Sequence, residues 1–128
     1  MFQTGDRVDG GNTIYNLSLY DCIICTAVVE NQPEYSAYNP LLIAITVKAF
    51  KDSTEKLTLR DNVLISDFSG DYEDACNLAS ILEGTVEETV SLSIWNHADI
   101  DDAITECLDD EYGLYDVTIE HPYKSSYE

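Results

Sequence analysis

Residues 41–50, LLIAITVKAF, carry the clearest secondary-structure signal in the chain. Leu41, Ile43, Ile45 and Val47 recur at every second position. Successive side chains of an extended strand point to opposite faces, so this period of two predicts a β-strand with one face in a hydrophobic core. The stretch therefore indicates that the fold contains a sheet.

The segments before this stretch extend the predicted sheet. TIYNLSL (residues 13–19) alternates and predicts another strand. DCIICTAVVE (residues 21–30) is ambiguous, because its β-branched residues favour a buried strand whereas Ser18 and Asp21 could form the capping box of a helix. We favour the strand.

The segments after it predict further strands and two helices. KLTLRDNVLIS (residues 56–66) predicts one or two short strands around a turn at Arg60-Asp61-Asn62. SGDYEDACNLASILEG (residues 69–84) predicts a helix that begins at Ser69 or Asp71, ends at Gly84 and has one apolar face. The residues of that face are Ala75, Leu78, Ile81 and Leu82.

The last third of the chain continues with strand, helix and strand. TVSLSIW (residues 89–95) alternates, which predicts a strand with Val90, Leu92 and Ile94 facing inward. A second helix is predicted from residue 97 to a stop near Gly113. LYDVTIE then predicts a closing strand, with inward side chains at Tyr115, Val117 and Ile119.

These elements together predict an α+β fold. We expect a mostly antiparallel sheet of about five to six strands with two helices packed on it, in the order β-β-β-β-α-β-α-β. We assign residues 1–120 to a single acidic domain and residues 121–128 to a flexible C-terminal tail.

The composition indicates a globular chain rather than a disordered one. The 128 residues are 45% hydrophobic, which is enough for a packed core despite a net charge of −19. Neither a membrane-spanning run nor a secretion signal is evident. We therefore expect the protein to be located in the cytoplasm of a bacterial host cell and not to associate with a membrane. In that compartment the four cysteines are expected to be free, buried thiols.

The residues that usually carry chemistry do not form a recognisable site. Cys22 and Cys25 form a C-x-x-C motif, but its apolar and acidic surroundings disfavour a redox role. Cys76, Cys107, His97 and His121 are scattered singly, so no metal site and no cofactor are predicted. His97 is interpreted as a helix-entry residue. We expect the protein not to be an enzyme.

Charge is distributed very unevenly along the sequence. Residues 1–60 contain seven acids and five of the six cations, whereas residues 61–123 contain seventeen acids and no Lys or Arg. Like charges on neighbouring helical turns repel, so this half of the chain carries a destabilising repulsion. Its presence suggests a cationic partner.

The acidic side chains are densest in HADIDDAITECLDDEYGLYD, residues 97–116. On a helix, an apolar face of Ile100, Ala103, Ile104, Cys107 and Leu108 lies opposite a ridge of carboxylates. The predicted partner-binding residues are this ridge, further acids of the first helix and the strand entry, and two loop tyrosines: Asp99, Asp102, Glu106, Asp109, Asp110, Glu111, Asp71, Glu73, Asp74, Glu87, Glu88, Tyr35 and Tyr38.

A row of regularly spaced negative charges resembles the phosphate backbone that a nucleic-acid-binding protein recognises. We therefore predict an inhibitor that blocks a basic nucleic-acid-binding protein or nuclease. In size and charge the chain is similar to small acidic phage and mobile-element proteins that act against restriction or CRISPR enzymes. The charge disfavours direct nucleic-acid binding, and a homodimer is left open.

Two other interpretations explain the same composition. An immunity protein or antitoxin that neutralises a cationic nuclease toxin would present a similar acidic surface. A domain adapted to high salt is disfavoured, because residues 1–60 have a near-normal charge.

Overall fold

The computed structural model describes residues 14–31 and 40–123, without the side chains of residues 122 and 123. The elements follow one another as β1 (Tyr15–Asn16), β2 (Cys22–Val29), β3 (Leu41–Lys51), β4 (Thr54–Ile65), α1 (Tyr72–Val90), β5 (Ile94–Trp95), α2 (His97–Tyr112) and β6 (Val117–Tyr123). This order confirms the predicted α+β class and the predicted sequence of elements. Neither helix of the described residues is long and apolar enough to cross a membrane.

The main sheet has four antiparallel strands in the order β2-β3-β4-β6, and β1 pairs with β5 in a separate two-stranded sheet. The alternation of LLIAITVKAF is confirmed as β3, and the ambiguous segment before it is a strand, β2. Side chains of one face line up across the sheet, as in the row of Cys25, Val47 and Leu59. These rows form the inner face that the helices cover.

Two predictions in the first half were wrong. KLTLRDNVLI (residues 56–65) is part of one continuous strand, and the chain turns instead at Asp52 and Ser53, which both adopt positive φ. Asp and Asn are common in turns, but here Arg60-Asp61-Asn62 pairs along its length with β3. In the TIYNLSL segment, the described residues 14–19 form only β1 and a short 3-10 turn, Leu17–Leu19. The Asn16 side chain caps this turn by accepting a hydrogen bond from the Ser18 N–H.

The first helix is longer than predicted. It begins at the predicted N-cap Asp71 but continues through Gly84 to Val90, so the strand predicted for TVSLSIW shrinks to two residues. Val86 and Val90 are buried and continue the apolar face of α1 beyond Leu82 at intervals of four residues, as expected for a helix. The alternation of residues 89–95 had favoured a strand instead. The side chains predicted to face inward at Ile81, Leu92, Ile94 and Tyr115 are exposed.

The hydrophobic core lies between the inner face of the main sheet and the two helices. α1 packs on β2, and α2 packs beside α1. The Glu83 side chain accepts a hydrogen bond from the Ala27 N–H of β2, which is an edge strand. β6 forms the opposite edge and continues to Tyr123, so that His121 belongs to the sheet and lies beyond the domain boundary predicted at residue 120.

Substitution by alanine should have opposite effects on stability at Gly84, inside α1, and at Gly113, which caps α2. Gly113 ends α2 with φ +66°, whereas Gly84 lies inside α1 and an added Cβ would meet nothing within 4 Å. We expect Gly113→Ala to lower the free energy of unfolding by about 1 kcal/mol and Gly84→Ala to raise it by about 0.5–1 kcal/mol. Urea denaturation measures both, and equal signs would contradict the assigned helix ends.

Candidate functional site

The acidic ridge of α2 faces solvent along its whole length. Ile100, Ile104 and Leu108 are buried, which confirms the predicted core face and turns the other side of the helix outward. The carboxylates predicted on that side are all exposed: Asp99, Asp102, Glu106, Asp109, Asp110 and Glu111. Gly113 stops the helix as predicted.

Three of the predicted binding carboxylates have local roles at helix starts. Asp71 and Asp74 form the capping box of α1, each side chain accepting a hydrogen bond from the other residue's backbone N–H. Asp99 forms the equivalent box of α2 with Asn96. Negative charge at the first turn also interacts favourably with the helix dipole. Helix capping is therefore a sufficient reason for the presence of these three acids, and no binding protein needs to be invoked for them.

A groove between the two helices gathers four other carboxylates. Glu88 of α1 and Glu106, Asp110 and Glu111 of α2 line a depression of about 310 Å³, which we call the acidic groove. The remaining lining residues are Thr85, Thr89, Ala103 and Cys107. The packing of α2 against α1 thus brings together acids that are up to 23 residues apart in sequence (Glu88 to Glu111).

Of the other predicted residues, those that the structure describes lie outside the acidic groove. Asp102 and Asp109 are exposed elsewhere on α2, and Glu73 is exposed in the first turn of α1. Glu87 lines a different depression, together with Leu17 and Ile23. Tyr35 and Tyr38 lie outside the described residues.

Lys and Arg side chains of the described residues do not neutralise the helices. Lys51 pairs with Asp21 at 3.6 Å and Arg60 pairs with Glu30 at 3.8 Å. All four of these residues lie on or beside strands of the main sheet. Within residues 14–31 and 40–123, no carboxylate of α1 or α2 forms an ion pair with Lys or Arg. The acids of the acidic groove therefore face each other and solvent.

A second cluster of polar side chains lies inside the fold, under the N-terminal half of α2. His121 Nδ1 is 2.7 Å from Asp61 Oδ1, and His121 Nε2 is 2.9 Å from Asp101 Oδ2. His97 Nδ1 is 3.8 Å from the same Asp61 oxygen. We call these four residues the histidine cluster. It joins β4, β6 and α2.

Asp61 is the unusual member of the cluster, because its side chain is almost fully buried, with 4% exposure, and its neighbours across the inner face of the sheet are apolar. Across the sheet it is aligned with Ile45 and Ala27. The β4–β6 register shifts between Arg60 and Asn62, so that Asp61 lies opposite His121 and Pro122. Proline is tolerated there because β6 is an edge strand.

The two flanking carboxylates change the proton affinity of His121. Hydrogen bonds from its ring to Asp101 and to Asp61 raise the pKa of His121 to about 10, and partial burial opposes this rise. At neutral pH the ring is therefore a cation held between two anions. The cluster supplies α2 with a positive partner that the count of Lys and Arg does not reveal.

The histidine cluster was not predicted from the sequence. His97 was placed at the start of a helix, which is confirmed, but His121 was assigned to the tail and Asp61 to a turn. One signal could have found it. Leu57, Leu59, Asp61, Val63 and Ile65 form an inward-facing series of one strand, in which an acid needs a buried partner.

The cysteines are free, as predicted, but Cys22 and Cys76 are exposed rather than buried. The C-x-x-C motif lies on β2, where a separation of three residues places the two thiols on opposite faces. Burial, Glu87 and Glu83 raise the pKa of the Cys25 thiol to about 12. The pair is therefore unsuited to dithiol redox chemistry.

Comparison of the chain with known protein families, with characterised proteins and with solved structures gives no significant match.

Proposed function

We propose that the protein is an inhibitor that occupies the cationic nucleic-acid site of another protein, a nuclease or a DNA-binding complex of bacterial defence. The observation that carries this proposal is the acidic groove, which is lined by Glu88, Glu106, Asp110 and Glu111. Among the described residues, no Lys or Arg lines this groove or pairs with its carboxylates. Repulsion among these carboxylates costs stability in the free protein. A basic partner would relieve that cost.

The position of these acids on α2 strengthens the argument. Asp110 and Glu111 lie in the last turn, where the helix dipole is negative and opposes them. No Lys, Arg or His lies in that last turn to offset the charge. Helix formation alone would favour the opposite sign here, so a function in binding is the simplest reason for these residues.

The test is capture from a bacterial lysate on immobilised protein, followed by elution with a double-stranded DNA oligonucleotide. The proposal expects a basic nucleic-acid-binding protein that DNA releases. Its affinity should fall steeply with salt, because charge-charge contacts are screened. Binding that persisted in high salt and ignored DNA would contradict mimicry of phosphate charge. Capture of one cationic toxin alone would favour the immunity-protein alternative.

A charge-matched pair of variants assigns the effect to the acidic groove. The groove variant carries Glu88→Gln, Glu106→Gln, Asp110→Asn and Glu111→Gln. The control variant removes the same formal charge elsewhere, at residues that are all exposed and outside both helices: Asp52→Asn, Glu55→Gln, Asp116→Asn and Glu120→Gln. The groove variant should lose capture and the control should retain it, whereas equal losses would indicate a net-charge effect only.

The groove variant should also be at least as stable as the wild type. Removing repulsion of about 0.2–0.5 kcal/mol per pair should raise the free energy of unfolding by up to about 1 kcal/mol in urea at low salt. The gain should shrink in 0.5 M NaCl, because the repulsion is then screened. A loss of stability instead would show that these carboxylates have a structural role.

A further inference from the structure

The histidine cluster brings together three side chains that commonly bind transition metals. Asp61 comes from β4, His97 from the first turn of α2 and His121 from β6. One potential ligand atom from each lies within 4.8 Å of the others. Asp61 and His97 are buried, and His121 is the partly exposed member, with 23% side-chain exposure. The cluster is thus enclosed but open to solvent on the His121 side.

The spacing of the ligand atoms is close to that of a metal site. In a tetrahedral zinc site with bonds of about 2.0–2.1 Å, ligand atoms lie roughly 3.3 Å apart. The two distances from Asp61 Oδ1, 2.7 Å to His121 Nδ1 and 3.8 Å to His97 Nδ1, fall on either side of this value. The third pair, one ring nitrogen of His97 and one of His121, lies within 4.8 Å. Binding an ion would therefore bring the two rings closer together by up to about 1.5 Å.

Asp101 acts on the other side of His121. Its Oδ2 is 2.9 Å from His121 Nε2, so it holds the ring while Nδ1 points to Asp61. A carboxylate that binds the far nitrogen of a ligating histidine is a common arrangement around protein-bound zinc, and it fixes the orientation of the ring. Asp101 therefore has the position of a supporting residue rather than of a ligand.

We propose that Asp61, His97 and His121 form a binding site for a divalent transition-metal ion of the Zn²⁺ type, with Asp101 orienting His121. Two imidazoles and one carboxylate favour such an ion over Mg²⁺ or Ca²⁺, which prefer oxygen ligands. The ion displaces the proton of the Asp61–His121 hydrogen bond, and that proton leaves to solvent. Three protein ligands leave a fourth position for water or a small anion. The site is independent of the acidic groove and of the proposed inhibition.

The experiment is a titration of tag-free full-length protein, freed of metal with a chelator, with ZnCl₂ in a calorimeter. We perform it in excess Mg²⁺, which saturates the exposed carboxylates of a chain with net charge −19. The background is Cys22→Ser/Cys76→Ser, because these exposed thiols could bind zinc themselves. We expect one Zn²⁺ per chain. No binding under these conditions would overturn the proposal.

Single variants assign the ligands. His97→Gln should weaken zinc binding by about 100-fold or more, and Asp101→Asn by about 10–100-fold. Glu120→Gln is the matched control, because Glu120 precedes His121 in β6 but is exposed. It should leave the affinity unchanged. Zinc affinity that did not respond to His97→Gln would identify the cluster as an ion-pair network only.

Nuclear magnetic resonance of the unsubstituted protein keeps the test decisive if a variant does not fold. The chain contains only two histidines, so its imidazole ¹⁵N spectrum has four nitrogen signals in all. Zinc should shift Nδ1 of both rings in slow exchange and leave His121 Nε2 as a protonated donor to Asp101. Unchanged signals in saturating zinc, or a shift of one ring alone, would overturn the proposed ligand set.

Discussion

Replacement of His121 by glutamine is expected to lower the free energy of unfolding by about 3 kcal/mol at pH 7, measured by urea denaturation with a chelator present. The ring donates hydrogen bonds to Asp61 and Asp101, and Asp61 is almost fully buried. Glutamine can keep at most part of this hydrogen bonding and carries no charge. Asp61 would then be a buried anion without a cation, and this is the main source of the loss.

A double-mutant cycle separates this cause from a general packing defect. Asp61→Asn removes the charge that His121 compensates, so His121→Gln should cost at least about 1.5 kcal/mol less in the Asp61→Asn background. Glu120→Gln is the neutral reference for substitution in the same strand. Equal costs of His121→Gln in both backgrounds would show that the ion pair does not stabilise the fold.

The elements predicted correctly from the sequence are those whose signals lie within a few neighbouring residues. The alternation of LLIAITVKAF, the apolar face of α2 and the stop at Gly113 each depend on residues within one element. Side-chain periodicity and capping are read directly from such short stretches. The exposure of the acidic ridge followed from the same periodicity, because burying Ile100, Ile104 and Leu108 turns the opposite face outward.

Contacts between distant segments explain what could not be predicted from the sequence. Asp61 and His121 are 60 positions apart, and Asp-Asn beside Arg60 is a common turn sequence. Alternation along a single strand would have marked Asp61 as inward-facing, but only the pairing of β4 with β6 places His121 against it. Gly84 was likewise predicted wrongly as a helix end, because glycine inside a helix lowers stability by about 1 kcal/mol and is therefore more common at helix ends. In α1 the burial of Leu82 and Val86 on either side offsets this cost, so the helix continues.

The acidic ridge and the histidine cluster have opposing effects on α2. Repulsion along the outer side of α2 opposes folding, whereas the buried apolar side and the His121–Asp101 hydrogen bond hold the helix on the domain. This arrangement explains how α2 carries uncompensated acids without unfolding. It also predicts that weakening the histidine cluster should make the domain more sensitive to low salt, since the repulsion is then least screened.

Stability should fall as the pH rises from about 6.5 to about 10.5. The groups that face His121 are Asp61 from β4 and Asp101 and His97 from α2. The two carboxylates raise the pKa of His121 to about 10, above the ordinary value of 6.5 that the unfolded chain would have. A group whose pKa is higher in the folded state stabilises fully below its unfolded pKa. It loses that contribution as the pH passes through the folded pKa.

The size of this loss is bounded by the pKa change. A rise from 6.5 to about 10 corresponds to at most about 5 kcal/mol, and the partial exposure of His121 reduces our expectation to about 3 kcal/mol. Tyrosine, cysteine and lysine also titrate at high pH, so His121→Gln is the control. Urea denaturation with a chelator present should show a gap of about 3 kcal/mol between wild type and variant near pH 6.5. The two curves should converge near pH 10.5, because deprotonated His121 no longer compensates Asp61. A gap that stays constant across this range would mean that His121 stabilises the fold by packing rather than by charge.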